Sequence, residues 1–124
     1  MEVPVLKQGS YLIASVQSAL TDADLVQLRE RLMEATRSHR SRGVIVDVTA
    51  MDVMDSFASR TIRGLAYALR LLGAETVIVG IQPEVAFAMV QLGMTLPHVL
   101  TALDLEEGLA LLARRSTRGN GRGG

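Results

Sequence analysis

Cysteine is absent from the 124 residues, which removes disulfides, thiolate metal sites and cysteine nucleophiles together and fits a reducing compartment. Tryptophan is absent too, and two Tyr and two Phe are the whole aromatic complement. A core must therefore be built from Leu, Val, Ile, Ala and Met, an ordinary aliphatic interior. No run approaches the ~18 uninterrupted apolar residues of a membrane span. The opening Met1-Glu2-Val3-Pro4 has neither the basic nor the apolar segment of a secretory leader, so the expected location is cytoplasmic, without membrane association. There is no Gly-x-x-x-x-Gly-Lys phosphate loop, which argues against nucleotide hydrolysis. His39 and His98 are isolated from each other and from any acid at helical spacing, so neither a metal site nor a nucleophilic triad is expected.

Thirteen basic residues balance thirteen acidic ones, but the balance is uneven along the chain. Arg114, Arg115, Arg118 and Arg122 lie in a C-terminal run of Arg, Gly, Ser, Thr and Asn that contains no acid. Residues 1–113 keep nine basic against thirteen acidic residues, a net charge of −4, so no nucleic-acid partner is expected of the body. One domain over residues 1–113 and a disordered Arg/Gly-rich tail over 114–124 are the expected organisation.

Hydrophobic patterning gives the elements. Val3–Lys7 and Tyr11–Val16, joined by Gly9-Ser10, read as a β-hairpin. Thr21-Asp22-Ala23-Asp24 resembles a capping box, and Leu25, Leu28, Leu32 and Ala35 then share one face of a helix over 22–39. The β-branched run Val44–Val48 suits a central strand buried on both faces. Ile62, Leu65, Leu69 and Leu72 mark a helix that stops at Gly73. Thr76–Val79 is another buried strand, Pro83 opens a helix striped by Val85, Met89 and Leu92, and His98–Thr101 is a last short strand. Asp104 caps a final helix with Glu106 and Glu107 in its first turn and Leu105, Leu109 and Leu112 facing inward. The order β-β-α-β-α-β-α-β-α predicts an α/β fold: one mixed, mostly parallel sheet of about five strands packed by about four helices.

In such sheets functional residues gather where strands end and helices begin. Between the Val44–Val48 strand and its helix lie Asp47, Asp52, Asp55 and Ser56, with Ser59 a turn further on. A serine at a helix N-terminus suits phosphorylation, because free N–H groups and the helix dipole stabilise the added phosphate. Nearby aspartates would repel that phosphate and make the modified state easier to reverse. Asp-Ser before an apolar run is also an ordinary helix cap, and the two roles are compatible. Ser59 and Thr49 are lesser candidates for modification. Met54, Asp55 and Phe57 are candidates for partner docking, although Phe57 also reads as core, and Met51, Met89 and Met94 read as core filler.

Asp55-Ser56-Phe57 after that strand resembles the phosphoacceptor segment of STAS domains, the family of anti-sigma-factor antagonists and sulphate-transporter tails. Gly80-Ile81-Gln82-Pro83 and the stretch from Thr101 to Leu109, Thr-Ala-Leu-Asp-Leu-Glu-Glu-Gly-Leu, are similar to segments of the stressosome (RsbS-like) branch of that family. The resemblance covers residues 3–113. It implies a single STAS domain, non-enzymatic and without cofactor or metal, that co-assembles with an RsbR-type STAS co-scaffold and itself oligomerises. It further implies that such a scaffold holds an RsbT-type serine kinase and releases it when Ser56 is phosphorylated in response to stress, which leads to release of a sigma factor. A PP2C-type phosphatase would reset the switch. Simple antagonists of the family carry Asp-Ser-Ser-Gly or Asp-Ser-Thr-Gly, whereas this chain reads Asp55-Ser56-Phe57-Ala58-Ser59. The absent glycine favours the scaffold role over direct anti-sigma-factor antagonism. From a different class, an Mg²⁺-dependent aspartate phospho-receiver or small α/β enzyme using Asp47, Asp52 and Asp55 is the alternative, against which stands the lack of Lys or Arg over 98–103.

Overall fold

Two glycine-ended strands and a run of capped helices set the architecture, seen here in a computed structural model that describes residues 3–17 and 20–123, with side chains through Arg115. Strand β1 (Val5–Gln8) turns at Gly9 (φ 59°) into β2 (Tyr11–Ser15), and the two pair antiparallel with Gln8 opposite Tyr11. Strands β3 (Gly43–Asp47), β4 (Glu75–Val79) and β5 (Val99–Ala102) then add in parallel, so that the sheet runs in the order β1-β2-β3-β4-β5. Helix α1 (Asp22–His39) links β2 to β3, α2 (Ser56–Leu71) links β3 to β4, α3 (Pro83–Gln91) links β4 to β5, and α4 (Leu105–Gly123) ends the chain. This is the α/β fold with a mixed, mostly parallel sheet that the patterning predicts.

The sheet places its side chains by period two. Leu12, Ala14, Val44, Val46 and Ile78 join the main core with Leu25, Leu28 and Leu32 of α1 and Ile62, Leu65 and Leu69 of α2. The alternate residues Ile13, Ile45, Val77 and Val79 face the other way and pack with Leu112 of α4. Central β3 is therefore buried on both faces over Gly43–Val46. The α4 layer lies so close that a Cβ on Gly43 would sit 2.7 Å from a Leu112 methyl, and one on Gly108 would sit 2.8 Å from Val79 Cγ1. A side chain at either position would force Leu112 or Val79 to shift, so glycine lets α4 approach the sheet closely.

The N-terminus of α1 is the expected capping box: the Thr21 hydroxyl accepts the Asp24 amide at 3.1 Å and Asp24 Oδ2 accepts the Thr21 amide at 3.0 Å. Pro83 is the first residue of α3. Two expectations need correction. Leu72 and Leu92 are 44% and 69% exposed, because each is the residue capping its helix, where the helical period no longer turns a side chain inward. The first strand starts at Val5 rather than Val3; Val3 is buried beside it and its carbonyl accepts from Arg31 Nη1. The backbone of α4 runs past the expected boundary at residue 113, while most side chains of the Arg/Gly tail lie outside the described residues. Among the described residues no helix is long and apolar enough to cross a membrane.

Candidate functional site

The β3–α2 connection is built from a hydrogen-bonded turn, two buried anchors and a cap. Past β3, the Val48 amide donates to the Val79 carbonyl at 3.0 Å and keeps the chain against β4. Thr49 then turns back, its amide and hydroxyl donating to Asp47 Oδ1 at 2.9 and 2.6 Å. The Met51 amide returns to the Val48 carbonyl at 2.9 Å, and the Met51 and Met54 side chains are buried. Asp55, extended at φ −82° and ψ 177°, caps α2 by accepting the Ala58 amide on Oδ1 at 2.8 Å.

Ser56 is the first residue of α2 and is exposed, and no acidic residue occupies the first turn of that helix. A phosphate on its hydroxyl would meet the positive end of the helix dipole. Ser59, one turn on, is 2% exposed, so a kinase would have to open the helix to reach it. Thr49 is exposed as a residue, but its hydroxyl is engaged by Asp47. Phe57 is half-buried and packs against the main core. Asp52 and Asp55 are exposed.

Ser56 stands on the wall of a groove with a volume of about 560 Å³. Asp52, Val53, Met54 and Asp55 complete that wall, and Glu84, Val85 and Ala88 of α3, with its capping residue Leu92, form the opposite one, with Met94 beside them. Val53 and Leu92 are 70% and 69% exposed, so apolar surface is open to water here beside three exposed carboxylates, those of Asp52, Asp55 and Glu84. Met54 contributes to this surface although it is itself largely buried.

Sequence reasoning missed the α3 wall. The signal that could have found it is that α3, Pro-Glu-Val-Ala-Phe-Ala-Met-Val-Gln, has only Glu84 and Gln91 as polar side chains, yet it buries only Val85 and Met89. A helix with so few polar residues, packing one side on the core, leaves apolar residues such as Phe87 and Val90 facing water. The histidines stand apart from this groove. His39 lines a separate cavity with Lys7 and Arg31, while His98 Nδ1 lies 3.2 Å from Arg70 Nη1 and its ring meets Tyr67 edge-on at 5.2 Å. Among the described residues no three His, Asp or Glu side chains come together as a metal site, and Asp47 and Asp55 each give an oxygen to local hydrogen bonds.

Comparison with known proteins follows the same architecture. The family model of the STAS domain matches residues 2–107. The chain is 35% identical over 83 residues to the RsbT co-antagonist protein RsbRA of Bacillus subtilis (strain 168), covering 67% of this chain and 30% of that protein. It is 30% identical over 81 residues to RsbRD of the same organism, covering 65% and 29%. The chain thus spans less than a third of the length of these relatives. Among solved structures, a serine-to-glutamate variant of Moorella thermoacetica RsbS superposes with a TM-score of 0.82 at 29% identity, over 94% of this chain and 99% of that one. A chain of the stressosome, described as a signal integration and transduction hub, superposes with a TM-score of 0.78 at 31% identity over 91% and 98%. The unphosphorylated anti-sigma-factor antagonist SpoIIAA shares the fold, with a TM-score of 0.67 at 15% identity over 90% and 97%.

Proposed function

The chain belongs to the STAS domain family, related to the stressosome proteins, and on that premise we propose that it is a non-enzymatic scaffold that holds a serine kinase and releases it when Ser56 is phosphorylated. The observation that carries this reading is the exposed Ser56 at the first position of an acid-free helix turn, on the wall of an apolar groove. The groove takes an apolar side chain of the kinase, and docking there brings the kinase to the Ser56 hydroxyl. Phosphate then adds a charge of about −2 beside Asp52, Asp55 and Glu84, which hydrates the mouth of the groove and breaks the fit.

The same reading assigns the rest of the assembly. An RsbR-type STAS protein is the co-scaffold, an RsbT-type protein is the kinase, and a PP2C-type phosphatase removes the phosphate in the cytoplasm. Similarity to the RsbT co-antagonist proteins and to a stressosome chain supports these partners. Repeated copies of this chain in a large particle follow from the same relationship.

The test is phosphopeptide mapping after incubation with the cognate kinase and ATP, with kinase retention scored by pull-down for wild type, Ser56→Ala and Ser56→Asp. Phosphate on Ser56, and weakened retention by Ser56→Asp, are expected. An unmodified Ser56, or retention indifferent to both substitutions, overturns the switch. Size-exclusion chromatography tests the scaffold: co-elution with the RsbR-type partner in a large particle is expected, and a stable small heterodimer with an anti-sigma factor contradicts it.

A further inference from the structure

The two walls of the groove are tied together by one side chain. Gln82 occupies the capping position of α3, yet its side chain does not cap that helix. Instead its Nε2 reaches across to donate to the Thr49 carbonyl at 2.7 Å, a link between residues 33 apart in sequence. Thr49 is in turn pinned to Asp47 through its amide and hydroxyl. Gly80, at φ 80°, presses its backbone onto the same threonine: a Cβ there would overlap Thr49 Oγ1 and come within 3.2 Å of Asp47 Oδ1.

We propose that Thr49 and Gln82 are positioning residues that set the spacing between the β3–α2 loop and α3, and thereby where the Ser56 hydroxyl is presented to a docked kinase. This rests on the Ser56 reading above. The loop downstream of Thr49 is held at Met51 and Met54, which are buried, and ends in the Asp55 cap. A short segment anchored at both ends passes a shift at Thr49 on to Asp55 and Ser56. A displacement of even ~1 Å at the reacting group costs a transfer reaction up to about a hundredfold in rate, since alignment of acceptor and donor is what the docking supplies. Neither Thr49 nor Gln82 lines the groove that holds Ser56; they act through the loop.

The experiment compares wild type, Thr49→Val, Thr49→Ser and Gln82→Leu in the full chain. It measures kcat/KM for Ser56 phosphorylation by the cognate serine kinase, thermal melting, and amide hydrogen exchange over residues 53–56. Thr49→Val and Gln82→Leu are expected to lower kcat/KM roughly tenfold with cooperative melting retained. Thr49→Ser, which keeps the hydroxyl donor, is expected to restore the rate, and exchange over 53–56 to quicken in the two defective variants alone. Wild-type rates in both Thr49→Val and Gln82→Leu overturn the proposal, as does an equal loss in Thr49→Ser. Should wild type take no phosphate at Ser56, the Ser56 reading falls and exchange alone decides the tie: faster exchange in Thr49→Val and Gln82→Leu upholds it, and unchanged exchange overturns it.

Discussion

Oδ1 of Asp55 accepts the Ala58 amide at 2.8 Å, which places the cap of α2 one residue before the exposed Ser56. Cap and proposed phosphoacceptor are therefore neighbouring side chains with separable roles. Asp55→Ala removes the acceptor and is expected to destabilise the fold by about 1 kcal/mol. Asp55→Asn keeps a good cap and removes only the charge, so its stability should stay near wild type while phosphorylated Ser56 loses a repelling neighbour and is dephosphorylated more slowly. Urea unfolding and a phosphatase time course read the two effects apart.

Gly80 and Gly9 both have positive φ, 80° and 59°, but differ in surroundings. A Cβ on Gly80 collides with Thr49, whereas one on Gly9 has no described atom within 4 Å. Gly9→Ala is expected to lose about 1 kcal/mol for its left-handed backbone alone, and Gly80→Ala about 2–3 kcal/mol for backbone and collision together. Equal losses in denaturant midpoints would show that the Thr49 contact carries no weight.

Leu112 is 2% exposed, and its methyls fill the space a side chain on Gly43 would need. Leu112→Ala leaves a cavity between α4 and the sheet and should destabilise the domain by about 3 kcal/mol, with the neighbouring, half-buried Leu109→Ala losing less. Chemical denaturation of the two variants side by side checks the order.

Glu34 titrates below the ordinary glutamate range, because the Ser38 hydroxyl donates to its Oε1 at 3.0 Å and Arg37 lies at 3.3 Å. A carboxylate whose pKa falls on folding favours the folded state above the ordinary glutamate pKa, and that contribution fades as pH drops through the lowered folded value. Ser38→Ala should move the Glu34 titration upward in an NMR pH series. Because the group is exposed, overall stability should hardly change.

Much of the fold was legible because its signals are local. The Thr21 and Asp24 capping box marks the start of α1 at Asp22, and Pro83 marks the start of α3. The β-branched run at Val44–Val48 announces the central strand, which the structure bounds at Gly43–Asp47. Leu72 and Leu92 were misjudged because a period read along the chain does not say where the helix stops. For the candidate site, the Asp55-Ser56 pair at the start of a helix was visible. The groove beside it was not, since its opposite wall comes from α3 and the residues just after it, which nothing local connects to Ser56.

What the amino-acid sequence determined by itself is the set of elements, their caps and the unbroken apolar run that buries β3 on both faces, because each depends on residues a few positions apart. Tertiary structure alone decided that Ser56 faces water while Ser59, three residues later, is 2% exposed. It also decided that Gln82 reaches Thr49 and that Gly80 lies against it. Those outcomes arise because β3 and β4 pair in parallel, Asp47 opposite Val79, which brings the ends of two strands and the starts of two helices to one edge of the sheet. No interaction within either segment specifies that meeting; only the packing of the whole sheet does.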